Sequence, residues 1–247
     1  MAAVADGHLP PSVYTVHGLA ASALITGGTG GLGAAVTRAF LDGGWRVVVP
    51  VFHEAERERL PAHERLVVEP ADLSDPDSTA AVTALGAGAE EAPLRAVVNL
   101  VGGFAAGGRV HETPVEDFEA QLRLNLRPTY LVCQAALPHL QVAGGAIVCV
   151  SSRAALRPFP GAAGYIVGKA AVLAFVDALA EEYRKDLIRV NAILPSVIDT
   201  PANRRAMPDA DHDRWVSPEQ IASVVRCLCE DGAEVVSGAH VPVYGRA

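Results

Sequence analysis

The chain has 247 residues, half of them hydrophobic, enough to bury one large core and too few for a second full domain. A net charge of -8 with no run of Lys or Arg excludes a phosphate-tracking surface, so nucleic acid is not expected as a partner. Four cysteines without a CxxC pair and eight histidines without a ligand spacing predict buried reduced thiols, no metal, and a cytoplasmic location.

Residues 1–18, MAAVADGHLPPSVYTVHG, lack a basic start followed by an apolar core and read as a flexible N-terminal extension ahead of one domain, 19–247. ASALIT predicts the first strand, followed by a helix over 31–43. WRVVVPV precedes a charged stretch, 54–60, and RLVVEPADL precedes a helix over 75–88. RAVVNLVGG, a helix over 114–140, AIVCVSS, a helix over 162–185, IRVNAILP, a helix over 217–230 and AHVPVY complete the series. Alternation of apolar runs with helical periodicity predicts a single α/β domain: a seven-stranded parallel sheet with helices on both faces. Each apolar stretch is broken by Gly, Pro or charge before it reaches the 18 or so residues that span a bilayer, so no membrane association is expected. GGFAAGGRV, 102–110, and DTPANRRAMPDADHDRW, 199–215, read as irregular segments after strands, at the edge where open parallel sheets bind ligands.

Strand one runs into TGGTGGLG, Thr26 to Gly33, and then into a helix. Glycines at this place permit a tight turn and let backbone N–H groups approach a pyrophosphate favoured by the helix N-terminus. Farther on, "YIVGK" sets Tyr165 and Lys169 four residues apart on one helix face. That spacing alone is common on solvated helices. Ser152, at the end of an apolar strand thirteen residues before Tyr165, and Asn125, a weak helix former inside a helical pattern, make the set specific. An ammonium near a phenol stabilises phenolate and is expected to bring the pKa of Tyr165 down from about 10 toward neutrality.

The TGxxxGxG spacing together with Asn125, Ser152, Tyr165 and Lys169 resembles the short-chain dehydrogenase/reductase family, with its doubly wound Rossmann fold, over nearly the whole chain from about residue 19. The resemblance implies NAD(P)H-dependent hydride transfer to a small carbonyl, with Tyr165 as general acid/base and Ser152 fixing the oxygen. It implies that Lys169 holds the nicotinamide ribose and Asn125 a water. It also implies that Thr26, Gly27, Gly31, Leu32 and Gly33 hold the dinucleotide, with Asp72 at the adenine, Asn99 and Gly102 after the fourth strand, and Pro195 and Thr200 beside the nicotinamide. Ser196 stands where the family has glycine, and Leu100 where it has a second asparagine.

An acidic residue at the end of strand two marks NAD preference in the family. Val51 stands there and His53 or Arg57 could approach a 2′-phosphate, yet Gly30 stands where many NADP-preferring relatives place a basic residue and Glu54 and Glu56 lie just beyond, so the balance tilts to NADP with some use of both expected. NLVGGFAAGG and LPSVIDTPANRRAMPDADHDRW resemble the active-site loops of dihydropteridine reductases, which implies a quinonoid substrate as an alternative and a lid bearing Met207, His212 and Trp215. A dinucleotide-binding regulator without turnover and dehydratase or epimerase chemistry are the other readings of this scaffold. The family resemblance implies a homotetramer or dimer, paired through the helices over 114–140 and 162–185.

Overall fold

The computed structural model describes residues 21–246, so the extension over 1–18 lies outside the described residues. β1 (Ser22–Thr26), β2 (Arg46–Val51), β3 (Leu66–Pro70), β4 (Leu94–Asn99), β5 (Gly145–Val150), β6 (Ile188–Pro195) and β7 (His240–Val243) form one sheet in the order β3-β2-β1-β4-β5-β6-β7. Every pairing is parallel. The order reverses between β1 and β4, and the crevice at the carboxyl ends of those strands is where such sheets bind ligands.

Alternate strand residues serve two cores, because side chains along a strand point to opposite faces. Leu24, Val48, Val97, Ile147 and Val190 pack under α2 (Pro76–Ala87), α4 (Arg127–Ala143) and α5 (Ala163–Glu182). Ile25, Val47, Val49, Val98 and Val148 pack under α1 (Gly33–Asp42) and α7 (Pro218–Cys229), with Phe40, Ile221 and Val225. Each such side chain contributes about 1.5–3 kcal/mol on burial. Both faces are covered, so these strands read as continuous apolar runs.

Three elements differ from the sequence reading. The helix expected over 114–140 is two, α3 (Val115–Asn125) and α4, with Leu126 between them at φ -114°. Pro128 has no N–H for the carbonyl of Leu124 and its ring clashes with that carbonyl, which ends α3. The segment 199–215 holds α6 (Pro201–Ala206) and a 3-10 turn over His212–Arg214. Thr200 caps α6 by accepting from Asn203 N at 3.2 Å, and Asp199 grips Arg204 with both oxygens. α5 is long and apolar enough to cross a membrane by length and composition, yet it packs on α3 and β6 with Val172, Val176 and Leu179 buried, as a core helix does. Its lysine, Lys169, is buried too.

Candidate active site

Backbone geometry dictates the turn after β1. Gly27 has φ +65°, and a Cβ on Gly33 would lie 2.0 Å from the Gly27 carbonyl oxygen, so α1 seats where only hydrogen fits. A Cβ on Gly31 would lie 2.7 Å from Thr200 Cγ2, which puts the turn directly against the segment after β6. Leu32 occupies the N-cap of α1 and packs into the core on that face. Thr26 braces the junction of β1 and β4, its Oγ1 accepting from Leu100 N at 3.2 Å. A bare main-chain turn leading into a helix N-terminus fits the pyrophosphate of a dinucleotide.

Gly102 brings two of the sequence-predicted residues together. A Cβ there would lie 2.7 Å from Asn125 Oδ1 and 2.8 Å from Lys169 Nζ. Asn125 is fully buried, and its amide brackets the main chain of the next residue: Gly103 N donates to Oδ1 at 3.1 Å and Nδ2 donates to Gly103 O at 3.0 Å. Lys169 Nζ donates to Val150 O at 3.1 Å, and burial holds its pKa down at about 8. The Ser151 hydroxyl donates to the Lys169 carbonyl at 2.7 Å and fixes the helix turn that carries the lysine. A cavity of 730 Å³ opens beside α3, between the segments 105–115 and 161–164; its wall includes Gln121, whose Oε1 lies 3.4 Å from Asn125 Nδ2.

Ser152 is buried at the end of β5, where its Oγ accepts from Ala154 N at 3.1 Å. Its hydroxyl lies near enough to Tyr165 to draw the phenol pKa down. The protonation of Tyr165 departs from the sequence expectation: burial raises its pKa above the ordinary phenol value, and Ser152 opposes that rise only in part. The Lys169 ammonium is turned to the Val150 carbonyl, and its own pKa is lowered by desolvation, opposed by Cys149. The protein's own groups therefore keep the phenol protonated at neutral pH.

Of the remaining residues, Asn99 is buried below the turn. Its Nδ2 donates to Cys133 Sγ at 3.4 Å and more distantly to Cys149 Sγ, while its Oδ1 has no partner among the described residues. Cys133, Cys149 and Cys229 are buried thiols as expected, but Cys227 is exposed on the outer face of α7. Among the described residues no group of three His, Cys, Asp or Glu could hold a metal ion.

Asp72 Oδ1 accepts from both the N–H and the hydroxyl of Ser74, which lowers its pKa, and the cap of α2 is Asp75 instead. Pro195 ends β6 beside Val243, and Ser196 is accommodated without a positive φ, its hydroxyl donating to Tyr244 O at 2.7 Å. His53 begins the 3-10 turn after β2, its ring 4.7 Å from that of Phe52. Arg57 donates to Val68 O at 2.6 Å and lies 3.6 Å from Glu54.

Two residues at the mouth escaped the sequence reading. Phe104 meets Tyr165 edge-on, ring centroids 5.1 Å apart, and Phe159 stands 6.2 Å from Phe104. Phe104 is 62% exposed. The only hint in the sequence is an aromatic residue among the glycines of GGFAAGG. His212 stacks near Trp215 at 4.4 Å and its Nε2 lies 2.9 Å from Met207 O, so the three expected lid residues bind one another.

The family model described as enoyl-(acyl carrier protein) reductase matches residues 27–245. The chain belongs to the short-chain dehydrogenase/reductase family. It is similar to 2-(R)-hydroxypropyl-CoM dehydrogenase of Xanthobacter autotrophicus, 31% identical over 90% of this chain and 96% of the relative. It is equally similar to 4-formylbenzenesulfonate dehydrogenase of Comamonas testosteroni, 31% identical over 90% and 96%. Among solved structures, 3-ketoacyl-(acyl-carrier-protein) reductase from Brucella melitensis complexed with NADH superimposes with a TM-score of 0.81 at 27% identity, covering 92% of this chain and 98% of that one. As a short-chain dehydrogenase/reductase the protein is an NAD(P)-dependent oxidoreductase, and the glycine turn, Thr26 and the buried acceptor on Asn99 are in keeping with a nucleotide crevice.

Proposed function

We propose that the protein transfers hydride between a nicotinamide dinucleotide and a small carbonyl or alcohol, with Tyr165 as general acid/base. When bound, the dinucleotide supplies or takes up the hydride. Tyr165 holds the proton destined for the carbonyl oxygen, and a phenol kept protonated by burial suits it to act as the acid in reduction. Ser152 fixes that oxygen by hydrogen bonding. Lys169 holds ribose hydroxyls, and Asn125 with Gln121 places water between the lysine and the cavity beside α3. Thr26, Gly27, Gly31, Leu32, Gly33, Asp72, Asn99, Gly102, Pro195 and Thr200 make up the proposed dinucleotide crevice. The observation that carries this reading is the convergence of Ser152 on Tyr165 and of Asn125 and Lys169 on Gly102.

The substrate side favours a planar ring. Phe104 and Phe159 offer aromatic faces and edges beside the Tyr165 hydroxyl, and such pairs contribute about 0.5–1.5 kcal/mol beyond burial. The benzaldehyde-type substrate named for the Comamonas relative points the same way. The same wall supports the second reading, reduction of a quinonoid pterin-like compound, which the loop resemblance to dihydropteridine reductases suggested. Following NADH and NADPH absorbance with aromatic aldehydes, aliphatic ketones and a quinonoid dihydropterin tests both. Turnover of an aromatic carbonyl is expected; tight dinucleotide binding with no turnover of any of them would instead favour a regulator.

We infer one domain over 19–247, and assembly through α4 and α5. Tyr130 and Phe175 pair at 5.7 Å on those helices, and Tyr130 and Val167 remain exposed. Sedimentation as a dimer or tetramer is expected, and a monomer would refute the assembly.

A further inference from the structure

A carboxylate just beyond the family's acidic position stands beside the glycine turn. Glu56, on the 3-10 turn Glu54–Arg59 that follows β2, accepts at Oε2 a hydrogen bond from Thr29 Oγ1 at 3.2 Å. Thr29 is buried in the middle of the turn, between Gly28 and Gly30. The bond therefore ties the segment after β2 back to the phosphate-facing turn and holds a carboxylate across the gap beyond Val51. In sheets of this topology that gap receives the adenosine ribose.

The 2′ position of that ribose is a hydroxyl in NAD(H) and a phosphate in NADP(H). A fixed carboxylate accepts a hydrogen bond from the hydroxyl and repels the phosphate, which carries about -1.5 to -2 charge at neutral pH. The neighbouring cations offset it only in part. Arg57 is committed to Val68 O at 2.6 Å and lies 3.6 Å from Glu54, and the nearest guanidinium to Glu56 is Arg59, at 3.8 Å. The segment Glu54–Arg59 carries three carboxylates against two guanidinium groups, His53 packs on Phe52, and Gly30 gives the turn no basic side chain.

We propose that Glu56 makes this protein select NAD(H) over NADP(H), acting from beyond β2 in place of the acid missing at Val51. The inference rests on the dehydrogenase reading and runs against the tilt to NADP drawn from Val51, His53 and Arg57.

Calorimetric titration of the full chain with NADH and with NADPH, before and after Glu56→Gln, tests it. The unaltered protein is expected to bind NADH at least ~10-fold more tightly at low salt. Glu56→Gln should weaken NADH and strengthen NADPH, moving their ratio by roughly tenfold, whereas a merely structural role for Glu56 would weaken both alike. Arg59→Gln, which strips Glu56 of its counter-charge, should widen the preference for NADH. A preference for NADPH in the unaltered protein, or parallel losses in Glu56→Gln, overturns the inference and leaves the dehydrogenase reading intact. Failure to bind either dinucleotide overturns both.

Discussion

The turn after β1 is shaped by side chains that are missing, whereas the site around Tyr165 is assembled from polar side chains that are buried. In the turn, main-chain atoms occupy the space a methyl group would need, as at Gly33, where the clash is with the Gly27 carbonyl. Around Tyr165, Asn125 and Lys169 close on Gly102, and loss of water sets the protonation of Tyr165 and Lys169. Sterics therefore govern the nucleotide side, and desolvation governs the chemical side. A substitution on the first side should act through shape, one on the second through charge.

The largest contrast is expected from Tyr165→Phe, which removes the proton donor and leaves the turn untouched. Turnover should fall by about 10²–10⁴, with dinucleotide affinity nearly unchanged in calorimetry. Retained turnover would break the comparison. Gly33→Val is the counterpart: it forces α1 off the turn, costs about 3 kcal/mol or more in a melting experiment, and abolishes dinucleotide binding.

Lys169→Met sharpens the electrostatic half. The folded pKa of about 8 lies below the ordinary lysine value of 10.5, so the folded state binds fewer protons than the unfolded chain between those pH values, and stability rises with pH across that window. Below about 8 the full penalty is present, about 3 kcal/mol, against about 1 kcal/mol lost with the bond to Val150 O. The methionine variant should therefore be about 2 kcal/mol more stable in denaturant at pH 7, with the advantage vanishing as pH climbs from 8 to 10.5, while activity is lost. No pH dependence of the difference would show that the lysine is solvated.

Tyr165 bears on direction. Because burial raises its pKa, oxidation of an alcohol, which needs phenolate, should reach its optimum at higher pH than reduction of the matching ketone, as paired initial-rate profiles would show. The smallest effect is expected at the mouth. Phe104→Ala should lower kcat/KM for aromatic carbonyls by roughly tenfold and leave aliphatic ones within about twofold.

Much of this was legible in the chain itself. The sheet announced itself because strands covered on both faces leave apolar runs such as RVVVPV and AIVCV, and the glycine turn because its residues answer to main-chain geometry. Asn125 and Ser152 stood out as polar residues in apolar settings, and with them the Tyr165–Lys169 spacing, common by itself, matched the family pattern. The break at Leu126 was missed although Pro128 marks it, since the helical periodicity continues through the junction. The helix inside 199–215 was missed because its stability comes from the Thr200 cap and the Asp199–Arg204 pair, not from an apolar stripe.

The sequence by itself determined the parallel sheet and the glycine turn, which follow from periodicity and sterics along the chain, and through the family resemblance it singled out the residues proposed to react. Only the tertiary structure decided that Tyr165 is shielded enough to keep its proton, that Lys169 faces Val150 O, and that Glu56 reaches Thr29 across 27 positions. Those facts depend on which groups lose water and which meet through space, and desolvation and proximity leave no periodic trace in a linear chain.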